Sequence, residues 1–232
     1  MIKLSKLLLF TLIGASLVLA SPVQAMALAR PEEIKEHPAF SRDVIIIDAG
    51  HGGVDGGTSF QNILEKDITL AIAQKVFLLL RSKGYHAVLN RTGDYALSDE
   101  NQWLNSRSRH LRDLAQRKEL SKQIPTLIVV SLHVNWGHTA QRGGVVLFQN
   151  EGHSVMLASA IQEQLDQLYG SKGFIKHGRP FYLLNHVADP AVIVETGFLS
   201  NAKDRVMLTD RKGQLKIAKA IVDGIHYYLT VI

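Results

Sequence analysis

IIIDAGHGG, residues 45–53, is an isoleucine run that ends on an aspartate and enters a glycine-rich turn carrying His51. A short apolar run bounded by turn residues reads as a strand buried on both faces, and such strands belong to sheets covered by helices. Two later stretches have the same form. LIVVSLHVN (127–135) is an apolar run that reaches His133, and AVIVETGF (191–198) is one that reaches Glu195. Between the first and second, LEKD (64–67) places Glu65 where a long amphipathic segment opens. Polar residues at the ends of buried strands converge at one edge of an α/β sheet, which is where sites are built.

The rest of the chain alternates in the same way. Helical periodicity runs over 65–83, where Ile68, Ile72, Val76, Leu79 and Leu80 share a face and Gly84 follows as a C-cap. Further helices are expected over 103–122, 154–169 and 214–229. Strands are expected over 44–48, 85–91, 126–133, 144–149, 181–184 and 191–195. This alternation predicts an α/β fold in a single domain, with a mostly parallel, mixed, twisted sheet flanked by helices. A chain of 232 residues, 46% hydrophobic and 20% charged, is enough for one such domain.

The N-terminus reads differently. Lys3 and Lys6 precede an uncharged, mostly apolar stretch from Leu7 to Ala20, and Val23-Gln24-Ala25 suits a signal peptidase. Residues 1–25 are therefore expected to be a signal peptide, or an N-terminal anchor if uncleaved. Residues 26–43, with Pro31 and Pro38, read as a linker or edge segment, leaving 44–232 as the functional domain. The protein is expected to be secreted or otherwise extracytoplasmic, touching a membrane only through its N-terminal segment. A formal net charge of +5 is too mild to argue for nucleic acid as a partner. Arg107, Arg109, Arg112, Arg117 and Lys118 form a local basic cluster. It reads either as a solvated helix face or as an attraction for an anionic polymer. The chain has no cysteine, so any metal must be held by histidine and carboxylate.

Two histidines and a glutamate are the ligand set of a catalytic zinc that keeps its fourth position open for water, and a second glutamate can serve as base. Each residue also has a plainer reading. His51 could be a loop histidine, His133 a core histidine, and Glu65 a first-turn residue favoured by the helix dipole. Glu195 could pair with Arg91 or Arg179. Asp48 could orient the His51 ring or satisfy loop N–H groups, and Asn135 could contact substrate or brace the metal shell. The remaining histidines are not assigned to metal.

DAGHGGVDGG (48–57), EKDITLAIA (65–73), SLHVNW (131–136) and VETGFLSN (194–201) together resemble the zinc-dependent N-acetylmuramoyl-L-alanine amidases of type 3, in that family's order and over about 44–229. The resemblance implies zinc ligands at His51, Glu65 and His133 and the catalytic carboxylate at Glu195. It also implies peptidoglycan as substrate, cleaved between N-acetylmuramic acid and L-alanine. Ala49 stands where the family usually has Pro, and Trp136 where a small residue is usual. PFYLLNHVADPAVIVETGFLSN (180–201) is most similar to the subgroup acting on spore cortex, which implies sporulation or germination and a place in the cell wall or spore envelope; whether an activator protein is needed is not given by the sequence. The alternatives are another zinc peptidase or deacetylase of the wall, or a non-catalytic wall-binding module on the same fold.

Overall fold

The computed structural model describes residues 43–137, 141–148 and 152–231. The expected signal and linker segments lie outside these residues, as does His138. In chain order the elements are β1 (Val44–Ala49), β2 (Ser59–Phe60), β3 (Ile63–Leu64), α1 (Glu65–Ser82), β4 (Ala87–Leu89), α2 (Arg109–Gln123) and β5 (Thr126–Asn135). There follow β6 (Val145–Phe148), α3 (Gly152–Tyr169), β7 (Lys176–His177), α4 (Tyr182–His186), β8 (Ala191–Phe198), α5 (Ala202–Thr209) and α6 (Arg211–Val231). Six strands form one sheet in the order β4-β1-β5-β8-β6-β7, and β2 and β3 form a separate small hairpin. All pairings in the large sheet are parallel except β6 with β8. This is the mostly parallel, mixed α/β sheet that the alternation predicts.

Strand parity divides the core in two. Ile45, Ile47, Ile128, Val130, Val192 and Val194 face α1, α3 and α6. Val44, Ile46, Val129, Ala191 and Ile193 face the other way, against Leu183, Leu184 and Val187 of the α4 region, with Leu120 of α2 at the margin. Continuing that second parity along each strand gives Asp48, Ser131, His133 and Glu195. The register sets Asp48 beside Ser131 and His133 beside Glu195. The strand-end polar residues therefore share the face covered by α2 and α4, at the C-terminal edge of the parallel strands.

Two expectations are corrected. Residues 181–184 were expected to be a strand, but Tyr182–His186 is a short helix. A four-residue apolar run carries no periodicity that separates the two, and here Leu183 and Leu184 bury side by side as one helical turn. The helix expected from 103 begins at Arg109, where the Ser108 side chain accepts from the Leu111 N–H. Among the described residues, no helix is long and apolar enough to cross a membrane.

Helices α3 and α6 meet at Gly224. A Cβ placed there would lie 2.6 Å from Ile161 Cα and 2.9 Å from Ala160 O, both backbone atoms. Alanine normally stabilises a helix interior by about 1 kcal/mol relative to glycine, whereas overpacking costs about 1–3 kcal/mol. Gly224→Ala is therefore expected to lower stability by up to about 2 kcal/mol in denaturant unfolding. A stabilised variant would show that the two helices do not pack this closely.

Candidate functional site

The turn after β1 is held in an unusual backbone conformation. His51 has φ +61°, in the left-handed region that a non-glycine residue avoids at a cost of about 1–3 kcal/mol. Two buried guanidiniums hold it there. Arg91 donates through Nε to Ala49 O (3.1 Å) and through Nη2 to Gly50 O (3.0 Å). Arg117 donates through Nη1 to Ala49 O and through Nη2 to His51 O, both at 2.8 Å. Arg117 is itself fixed by Asp48 at 2.6 Å and by Asp113 one helical turn earlier at 2.5 Å. Burial alone would raise the Asp48 carboxyl pKa. The charge of Arg117 and the Ser131 hydroxyl outweigh this and hold it below the usual carboxylate range.

Glu65 is the first residue of α1 and is 3% exposed. Its Oε2 accepts from the Thr58 N–H (2.8 Å), and its Oε1 accepts from the Val134 N–H (2.9 Å). The same Oε1 lies 3.2 Å from His51 Nε2 and 3.0 Å from His133 Nδ1. Two imidazoles thus converge on one carboxylate oxygen. Glycines make this approach possible. A Cβ at Gly57 would sit 2.5 Å from Glu65 Oε2, and one at Gly50 would sit 2.7 Å from His133 Nε2. Burial opposes a charged Glu65, yet the hydrogen bonds and charges of His133 and His51 hold its pKa far below the usual range. Burial likewise opposes protonation of His51, but Glu65 and then Asp55 push it up to about 9 in the metal-free protein.

The far nitrogen of His51, Nδ1, lies 2.9 Å from Asp55 Oδ2. The orienting carboxylate is therefore Asp55. Asp48, expected in that role or as a partner of loop N–H groups, instead pairs with Arg117, Ser131 and the Asn90 side-chain amide. Asn135 Oδ1 accepts from the Trp136 N–H at 2.7 Å.

Glu195 sits opposite His133 on β8, 7% exposed, and its Oε2 is buried without a hydrogen-bond partner. Neither Arg91 nor Arg179 pairs with it, since Arg91 is spent on loop carbonyls. Burial, with a further contribution from the charge of Glu65, raises its pKa to about 7 although His133 pulls it down. A carboxyl poised near neutrality can both take and give a proton at physiological pH. Glu195 opens onto a cavity of about 660 Å³ that also contains His51, Glu65 and His133. Its far wall is built by α2, with His110 and Leu111, and by the α4 segment, with Phe181, Tyr182 and His186. Residue patterning did not single out His110 or His186 for the site. Of the basic cluster, Arg117 is an interior residue and Lys118 pairs with Glu119, so the cluster is not one solvated face.

His51, Glu65 and His133 offer ligand-type atoms all within 4.8 Å of one another. The set suits a divalent cation on the structure's own terms. The outward atoms are tied down by Asp55 and Thr58 while the inward atoms converge on one point, and nitrogen and carboxylate donors without thiolate match zinc.

The chain matches the family model of N-acetylmuramoyl-L-alanine amidases, type 3, over residues 45–227, and belongs to that family. It is an N-acetylmuramoyl-L-alanine amidase, an amide hydrolase of peptidoglycan. A germination-specific N-acetylmuramoyl-L-alanine amidase of Bacillus subtilis is 33% identical over 194 residues, covering 82% of this chain and 81% of that one. The CwlD amidase of Clostridioides difficile, solved in complex with the GerS lipoprotein, superposes with a TM-score of 0.74 at 34% identity, covering 82% of this chain and all of that one. The catalytic domain of the amidase CwlV from Bacillus (Paenibacillus) polymyxa superposes with a TM-score of 0.68 at 30% identity, covering 82% of this chain and all of that one.

Removing the Arg117 cation leaves Asp48 buried and unpaired, which typically costs about 3–5 kcal/mol. Arg117→Ala is expected to lose that much stability in denaturant unfolding, and Asp48→Asn in the same chain is expected to restore part of it. A loss below about 1 kcal/mol would mean that the pair does not anchor the turn.

Proposed function

We propose that this amidase is zinc-dependent, with His51, Glu65 and His133 as ligands and Glu195 as the proton-transferring carboxylate. The observation that carries this reading is the convergence of His51 Nε2 and His133 Nδ1 on Glu65 Oε1, next to a buried Glu195 whose Oε2 has no partner. A zinc ion held there supplies Lewis acidity, polarising the scissile carbonyl and making water a better nucleophile near neutral pH. The chain's own residues do the rest. Asp55 fixes the His51 tautomer through Nδ1, leaving Nε2 free to ligate. Arg91 and Arg117 hold the turn so that the ring does not swing away. Glu195 takes the proton of the attacking water and delivers it to the leaving alanine nitrogen, a shuttle suited to its raised pKa. Leu111, Phe181 and Tyr182 give the cavity an apolar wall opposite the reacting groups.

The reading extends to location. The basic and apolar N-terminal pattern and a peptidoglycan substrate support export through residues 1–25 and action on the wall side of the membrane. The name of the Bacillus subtilis relative supports a role in germination. The complex formed by the Clostridioides difficile neighbour supports a lipoprotein partner.

Incubation with purified peptidoglycan is expected to expose new L-alanine amino termini, to stop with a chelator and to resume with added zinc. Glu195→Gln is expected to retain zinc while turnover falls by about 10²-fold or more. New termini at another bond, or near-normal turnover in the variant, would contradict the assignment. Asp55→Ala is expected to weaken zinc binding by about 10–100-fold without unfolding the protein, as a change of zinc dissociation constant would show. An unchanged constant would remove Asp55 from the site.

A further inference from the structure

Trp136 follows the strand end that carries His133, and the structure leaves it 44% exposed. It is nonetheless held in place. Its N–H donates to Asn135 Oδ1, the next residue's N–H donates to Ser200 Oγ (3.1 Å), and its ring stacks on Phe60 at 6.2 Å between centroids and 26° between planes. The Arg205 guanidinium lies 3.9 Å from the Phe60 centroid and donates to Leu199 O at 2.6 Å. Phe60 thus contacts both the cation and the indole. One aromatic face is spent on internal stacking and part of the indole is presented outward.

The position of this stack matters as much as its chemistry. Trp136 follows His133 by three residues and Phe60 follows Thr58 by two, and the Thr58 N–H holds Glu65. At about 3.3–3.6 Å per residue, the Trp136 backbone lies within about 11 Å of that of His133 and the Phe60 backbone within about 7 Å of that of Thr58. Phe60 packs with the core on the α1 side of the sheet, whereas the 660 Å³ cavity opens on the α2 and α4 side. His51, Glu65 and His133 line that cavity, and the segments that bear Phe60 and Trp136 lead away from it. A muramoyl amide also has two sides, a sugar on one and a peptide on the other. A pyranose presents a face of C–H groups that packs against an aromatic π face, and a pre-ordered ring binds it without losing side-chain freedom.

We propose that Trp136, backed by Phe60 and Arg205, is a sugar-stacking subsite for the glycan strand, placed so that the stem peptide enters the α2 and α4 cavity. This rests on the proposed function and deepens it by assigning the two halves of the substrate to opposite sides of the metal cluster.

The test uses the full chain and glycan strands stripped of their peptides. The protein has two tryptophans, Trp103 and Trp136, so Trp103→Phe makes its fluorescence report Trp136 alone. Peptide-free strands are expected to change that fluorescence saturably. Trp136→Ala is expected to raise KM on intact peptidoglycan about 10-fold, with the loss falling on KM rather than kcat, and Trp136→Phe is expected to recover part of it. Zinc content and the unfolding midpoint of each variant confirm that it is folded. Unchanged fluorescence at saturating strands, or an unchanged KM in Trp136→Ala, overturns the subsite while leaving amidase activity in place. Strand binding by a protein that releases no L-alanine termini overturns the proposed function and leaves the subsite standing.

Discussion

Arg91 and Arg117 together grip the carbonyls of three consecutive residues, Ala49, Gly50 and His51, and the site depends on that grip. A left-handed histidine on a glycine-rich turn would relax without it, carrying the His51 ring away from Glu65. Burying two guanidiniums is costly unless their donors are used. Here most of them are, by backbone oxygens and by Asp48 and Asp113. The same contacts tie α2 to β1, so the helix that walls the cavity and the strand that carries the ligand turn are positioned by one network.

A second constraint follows from strand parity. Each buried strand alternates between two cores, and the site forms on the face that carries Asp48, Ser131, His133 and Glu195. That face is covered by the short α4 and by α2, which leave a cavity, whereas α1, α3 and α6 close the other face completely. Glu65 reaches the cluster from the helix-bearing side because it begins α1. The cluster therefore straddles the sheet edge, drawing His51 from the β1 turn, His133 from β5 and Glu65 from α1.

Much of this was legible in the sequence. The apolar runs before His51, His133 and Glu195 mark buried strands, and a glutamate opening an amphipathic helix is visible in the order of residue types. What could not be read was carried by contacts distant in sequence. Asp113 and Arg117 have the spacing of a surface helix pair, and nothing local says that Asp48, 69 residues away, draws them inside. Asp55 is four residues past His51, but a histidine in the left-handed region is needed to bring the two together, and that conformation depends on Arg91 and Arg117. The helix at Tyr182–His186 escaped because four apolar residues have no period, and the helical start at Arg109 was displaced from 103 because Ser108 supplies the cap. Trp136 was seen as a departure from the family, and its stacking on Phe60 needed the β2–β3 hairpin that no pattern announced.

Catalysis depends on where the metal sits and on what Glu195 does beside it. Anomalous diffraction at the zinc absorption edge, from crystals of the zinc-loaded protein, tests that directly. The expected result is a single site at the point where His51, Glu65 and His133 converge, with Glu195 close by but outside the coordination shell. An ion bound by Glu195 in place of Glu65, or one lying away from the two histidines, would contradict it.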